Sequence, residues 1–197
     1  MRIFELMKKV LVINANPKPA SLCKSLAEQY VSVATEQHEV EQINIGDLSF
    51  EVSLDQGYDR VADLEPELVD FQKKIQWAEH IVIVSPVWWG TIPAKFKGAI
   101  DRTFLPGFSF RYVEGKSIPE KLLKGRTSEL IITLDTPTFW YKYVKGNAIY
   151  KQLKQSILDF SGINTISATY FGPVISSNSD NRRAWLSKVA KLANRIK

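Results

Sequence analysis

The chain is poor in residues that build covalent or metal staples. Among its 197 residues it carries one cysteine, Cys23, and two histidines. A lone cysteine closes no intrachain disulfide and fits a reducing, cytoplasmic setting. Together with two histidines it is also too thin a donor set for a zinc centre, so no metal site is expected. Long apolar runs are missing, since no stretch approaches the roughly 18 consecutive apolar residues of a spanning helix, and membrane insertion is not expected. MRIFELMKKVLVINAN at the N-terminus lacks the apolar core and small-residue cleavage site of a signal peptide. Residues 1–7 read instead as a disordered extension ahead of the first ordered run.

Charge of one sign is not concentrated either. The net formal charge of +5 comes from 26 basic against 21 acidic residues, thinly spread. No basic stripe interleaved with aromatics appears, which argues against nucleic acid as a partner. Arg182 and Arg183 read as part of a solvated helix face. Two phosphate cradles are absent as well: neither the GxGxxG of a dinucleotide turn nor the GxxxxGKS/T of a nucleotide triphosphatase occurs.

What the chain does contain is an alternation of two periodicities. KVLVIN (9–14), HIVIVS (80–85) and ELIITL (129–134) are short apolar runs rich in β-branched residues, the pattern of strands buried on both faces. EVEQINI (39–45) alternates as an edge strand does, and NTISATYFG (164–172) reads as a fifth strand. Between them lie helical spacings: Leu22, Leu26, Tyr30 and Val33 behind a Ser21 N-cap; Leu64, Leu68, Phe71, Ile75 and Ala78; Phe96, Ile100 and Phe104 behind Pro93. Ile149, Leu153, Ile157 and Phe160 form another helix, stopped by Gly162, and Trp185, Leu186, Val189, Ala193 and Ile196 a last one. Five strand–helix alternations imply an α/β fold, a parallel sheet with helices on both faces.

In such a sheet, ligands bind beyond the carboxyl ends of the strands. Three unusual loops fall there. NANPKPAS, after the first strand, ends in Ser21 at a helix start, where backbone N–H groups attract a phosphate. PVWWGTIP, after the third, sets Trp88 and Trp89 between Pro86 and Gly90, a flat apolar wall suited to a planar aromatic cofactor. DTPTFWYKY, after the fourth, adds Phe139, Trp140, Tyr141 and Tyr143 beside Thr133, Asp135 and Thr136. Tyr141 is the candidate catalytic residue, because a phenol can donate a proton or a hydrogen bond to a reacting ring.

The segment PVWWGTIPAKFKGAIDRTFLPGFSFRY (86–112) resembles, in order and spacing, the flavodoxin-like NAD(P)H:quinone oxidoreductases of the DT-diaphorase type and their short bacterial members, and the likeness extends from about Lys8 onward. It implies a flavodoxin-like three-layer sandwich, one flavin-binding domain over 1–197 with five parallel strands in the order 2-1-3-4-5. It also implies a ping-pong reaction in which NAD(P)H reduces a bound flavin and a quinone, nitroaromatic or similar acceptor reoxidises it.

Carried over by position, the isoalloxazine lies against Pro86, Val87, Trp88, Trp89 and Gly90. The phosphate and ribityl chain lie near Asn16, Ser21, Leu22 and Cys23, and the pyrimidine side near Thr133, Leu134, Asp135 and Thr136. Tyr141 then faces the acceptor. Departures from the family are Asn16 where relatives commonly carry His, Cys23 where vertebrate members have Asn, Asp135-Thr136-Pro137 in place of a glycine-rich turn, and Asn147 where a His would complete a proton relay. The proton source is then Tyr141 or solvent. The vertebrate C-terminal extension that grips the adenine end of FAD is lacking, which favours FMN over FAD. The resemblance further implies a homodimer with the site between subunits, for which Phe104, Phe108, Phe110, Trp140 and Tyr143 are interface candidates. An alternative function is that of a regulatory flavoprotein subunit docked on a membrane potassium-efflux system. A one-electron carrier is disfavoured, because such proteins are usually strongly acidic and use a Ser/Thr/Gly-rich phosphate loop.

Overall fold

A computed structural model of the protein describes residues 7–55, 57 and 63–196. Apart from Met7, the expected N-terminal extension lies outside the described residues.

The two most apolar runs take the middle of the sheet. Strand β3 (His80–Pro86) is buried at every position and β1 (Lys9–Asn14) at every position after the first. Strands that are apolar on both faces must be covered on both, which puts them at the centre. Around them lie β2 (Glu39–Asn44), β4 (Thr127–Thr133) and β5 (Asn164–Phe171), in the order β2-β1-β3-β4-β5 and parallel throughout. The alternating EVEQIN run takes one edge, as its pattern predicts.

Alternate residues of each strand feed two cores. Val10, Val12, Val82, Val84 and Ile131 pack under α1 (Leu22–Ala34) and α6 (Ser179–Ala193). Leu11, Ile13, Ile81, Ile83, Leu130 and Ile132 pack under α2 (Pro66–Trp77), α3 (Ala94–Thr103) and a long helix, α5, over 148–161. The middle of α5, Lys151–Leu158, has π-type hydrogen bonding between α-helical ends, Ala148–Tyr150 and Asp159–Ser161. Gly162 ends it at φ +99°, and an added Cβ there would lie 3.1 Å from the backbone nitrogen of Lys124.

Two local readings of the sequence needed revision. Strand β4 starts at Thr127 rather than Glu129, because its polar first residues are paired by side chains. Thr127 Oγ1 lies 2.8 Å from His80 Nδ1, and Ser128 Oγ donates to Thr165 Oγ1 at 2.9 Å. Hydrophobic patterning is blind to such satisfied hydroxyls. The aromatic stretch read as loop contains a short helix, α4 (Thr138–Tyr143), entered from Pro137.

Between β2 and α2 the chain crosses α3, and two features hold it there. Gly98 admits the crossing, since an added Cβ would come within 2.6 Å of the carbonyl oxygen of Val52. Arg102, buried on α3, donates to the Glu51 carbonyl at 2.6 Å and pairs with Glu65 at 2.9 Å. Arg102 therefore anchors a surface segment, while its neighbour Asp101 pairs with Lys97 on the same helix.

Candidate active site

The loops after β1, β3 and β4 meet at the carboxyl edge of the sheet, where the strand order reverses between β1 and β3. Doubly wound sheets leave a crevice at that point because the crossovers on either side turn away from each other. Here the crevice is a cavity of about 920 Å³, within the usual size for small-molecule and cofactor sites.

Its floor comes from β1 and α1. Asn16 is buried, and its side chain accepts from the Lys18 backbone N–H at 3.0 Å, which shapes the turn. Ser21 caps α1 by accepting from Lys24 N at 3.2 Å. The first N–H groups of a helix lack partners within it, and the dipole there is positive. Ser21, Leu22 and Cys23 thus present to the cavity an end suited to an anion. Cys23 is buried, with Sγ 3.2 Å from Thr133 Oγ1. Burial pushes its thiol pKa up to about 11, so it stays protonated and unreactive.

The walls come from the other two loops. Pro86, Val87 and Trp88 line one side and Thr133, Leu134 and Asp135 another, tied together by Val87 N donating to the Thr133 carbonyl at 2.8 Å. The carboxylate of Asp135 accepts from Ile175 N at 2.8 Å, pinning the segment after β5, so that Val174 closes the cavity on that side.

Ten of the residues singled out in the sequence line this one cavity: Asn16, Ser21, Leu22, Cys23, Pro86, Val87, Trp88, Thr133, Leu134 and Asp135. Four do not. Thr136 lies beyond the rim, while Trp89, Gly90 and Tyr141 form a separate constellation beside it. Trp88 and Thr91 exchange backbone hydrogen bonds of 2.9 and 3.1 Å around a tight turn, whose central residues Trp89 and Gly90 have φ of +50° and +92°. Positive φ at both central positions is the type I′ pattern, which ordinarily selects Asn-Gly. Trp89 holds the strained position with its indole fully exposed, at 105 % relative accessibility. Tyr141 is buried, and its Oη donates to the Gly90 carbonyl at 2.6 Å and accepts from Ile149 N at 3.0 Å. Burial raises the pKa of this phenol. Asn147, where a relay His was expected to be missing, accepts from Tyr170 Oη at 2.7 Å.

Cations were the feature that sequence reasoning overlooked. Lys18, Lys24 and Arg182 all reach the cavity lining. Arg182 lies far along the chain, on α6, with Nε donating to Ser177 Oγ at 3.0 Å. Its doublet with Arg183 looked like a solvated face; only the packing of α6 against α1 brings it to the same opening.

The interface candidates divide. Phe108 and Phe110 are buried within the chain, edge-on to Phe104 and Phe160 respectively, whereas Trp140 and Tyr143 are exposed beside Phe139. Among the described residues, no group of three or more His, Cys, Asp or Glu is placed to hold a metal, and no helix is long and apolar enough to cross a membrane.

Residues 8–194 match the family model Flavodoxin_2, described as a flavodoxin-like fold. A ribosyldihydronicotinamide dehydrogenase-like protein of Penicillium crustosum is 30% identical over 152 residues, covering 64% of this chain and 57% of that protein. An FMN-dependent NADH:quinone oxidoreductase of an Exiguobacterium strain is 31% identical over 126 residues, covering 55% of this chain and 60% of the relative. The chain therefore spans less than two thirds of the length of these curated relatives. Among solved structures, that of Smu.1420 from Streptococcus mutans superposes with a TM-score of 0.82 at 27% identity, covering 95% of this chain and all of the other.

Proposed function

The chain belongs to the Flavodoxin_2 family, and we propose on that footing that it is a flavin-dependent NAD(P)H oxidoreductase that reduces quinones or similar aromatic acceptors. One observation carries the proposal: a cavity at the switch point of the sheet joins an anion-binding helix end to a flat apolar wall. A phosphorylated planar cofactor needs both. The activities for which the Penicillium and Exiguobacterium relatives are named support the same reading, and the dependence of the latter on FMN favours that flavin.

The residues present fit a flavin. Ser21 and the first N–H groups of α1 would hold its phosphate, with Lys18, Lys24 and Arg182 supplying positive charge. Pro86, Val87 and Trp88 would form the wall behind the ring. Thr133, Leu134 and Asp135, at the end of β4, would border its polar edge, with Thr136 just outside. A flavin held there would supply the hydride chemistry between NAD(P)H and the acceptor, in the ping-pong order that this reading implies. The protein's share is to orient the stacked partners, keep one face of the site open and leave a proton source within reach, either Tyr141 or solvent.

Trp89, Phe139, Trp140 and Tyr143 are exposed on the segments that follow β3 and β4. Exposed apolar side chains of this kind suit a homodimer whose second subunit completes the acceptor site. A cytoplasmic location accords with the single protonated thiol.

Anaerobic addition of NADH or NADPH to purified protein carrying flavin tests the proposal. Bleaching of the flavin band, with recovery on adding a quinone, is expected. Protein that cannot be reconstituted with FMN or FAD would rule it out.

A further inference from the structure

We infer that Tyr141 is a positioning residue, a clasp that holds the Trp88–Thr91 turn against the start of α5 and so sets the outward pose of Trp89. This inference deepens the proposed function and assigns the proton to solvent.

The argument rests on donor and acceptor roles. Ile149 N is 3.0 Å from Tyr141 Oη, and an amide can only donate. Gly90 O is 2.6 Å away on the other side, and a carbonyl can only accept. The hydroxyl hydrogen must therefore lie between Oη and Gly90 O. No hydrogen on Tyr141 is left to point at an acceptor, and donating one would break the link to the turn. The bond joins segments 51 residues apart in the chain, and the Tyr141 ring is buried, so the clasp is rigid at its base.

The turn has reason to need such a clasp. Trp89 occupies a left-handed position that a large side chain seldom adopts, and its fully exposed indole gains no packing within the chain to offset this. Within the turn, the bonds between Trp88 and Thr91 close it locally. The Tyr141 bond fixes it to the rest of the protein. On the other side of the clasp, the Ile149 N–H is one of the first in α5, a group the helix itself leaves unpaired. Asn147, left-handed at φ +54°, donates its N–H to the Tyr141 carbonyl at 3.1 Å and makes the sharp entry that aims Ile149 N back at the phenol. One hydroxyl thus satisfies a helix end and anchors a strained turn.

Tyr141→Phe keeps the ring and removes both bonds. In amide hydrogen exchange, which needs no flavin, the Thr91 and Ile149 amides are expected to exchange about tenfold faster in this variant while β1 and β3 stay protected. Adding Trp89→Gly relieves the turn strain and should restore protection at Thr91 but not at Ile149. With flavin bound, stacking of NAD(P)H and of the quinone should weaken alike, with the pH profile of the oxidative half-reaction unchanged. Unchanged exchange at both amides would overturn the clasp. So would a loss confined to the limiting rate of the oxidative half-reaction, with its pH profile altered, because that is the signature of a proton donor. Failure to bind flavin would overturn the proposed function yet leave the exchange result to judge the clasp.

Discussion

The two edges of the sheet are built from the same strands and yet differ in what is left unfinished. At the amino edge, polar groups close on one another. His80 Nδ1 meets Thr127 Oγ1, Lys9 N donates to Glu79 Oε2 at 3.0 Å, and Arg126 donates to the Ile75 and Gln76 carbonyls at 3.0 and 2.6 Å. The carboxyl edge instead turns Ser21, Thr133, Lys18 and Arg182 toward a cavity and leaves Trp88 and Trp89 exposed. The contrast separates stability from function: closed hydrogen bonds and buried groups set the folding free energy, while strained groups and those that border a cavity are where ligand binding is to be tested.

Acid should damage the closed edge most. Burial lowers the pKa of His80 to about 4, against roughly 6.5 in an unfolded chain. The unfolded state therefore binds the extra proton first, so the contribution is complete above the unfolded value and is lost as pH falls from there toward the folded value. Unfolding free energy should drop by up to about 3 kcal/mol over that window, and His80→Gln should flatten the slope in denaturant titrations at stepped pH. A variant with an undiminished slope would show that the edge is not where acid acts.

The open edge should respond in binding instead. Trp88→Ala should weaken flavin affinity about tenfold, roughly 1.4 kcal/mol, with little change in thermal midpoint, as read by fluorescence titration of the apoprotein. If the variant mainly loses stability, Trp88 belongs with the core and the contrast between the edges fails. Arg182→Gln should cost about threefold in flavin affinity at low salt and less at high salt, since an exposed cation is screened. A salt-independent loss would point to packing rather than charge. Smallest of all is the stability effect of Trp89→Ala: a change in unfolding free energy under about 0.5 kcal/mol, alongside weaker acceptor stacking.

Much of the fold was legible because burial on two faces leaves a trace in local composition. KVLVIN and HIVIVS read as central strands and lie at the centre, and EVEQIN reads as an edge and lies at one. The boundary of β4 was less legible, since Thr127 and Ser128 gain their place through side-chain bonds to His80 and Thr165. So was α4, six residues whose helix is set by the surrounding loops rather than by any apolar stripe.

By itself the sequence determined that three unusual loops share one edge, because strand polarity in a parallel sheet puts every β-to-α loop on the same side. It also marked ten residues that line the cavity there. Which tryptophan faces the cavity was beyond it. Trp88 and Trp89 are adjacent and chemically alike, and the choice rests on a turn whose positive φ values fall at Trp89 and Gly90, so that Trp88 borders the cavity while the Trp89 indole stands free in solvent. Arg182 was hidden for a different reason: its place at the opening depends on α6 packing against α1, a contact between the two ends of the chain. The bonds of Tyr141 to Gly90 and Ile149 likewise join segments with no local pattern in common. Local periodicity records which side of an element is buried, whereas distances between remote side chains exist only once the elements have packed.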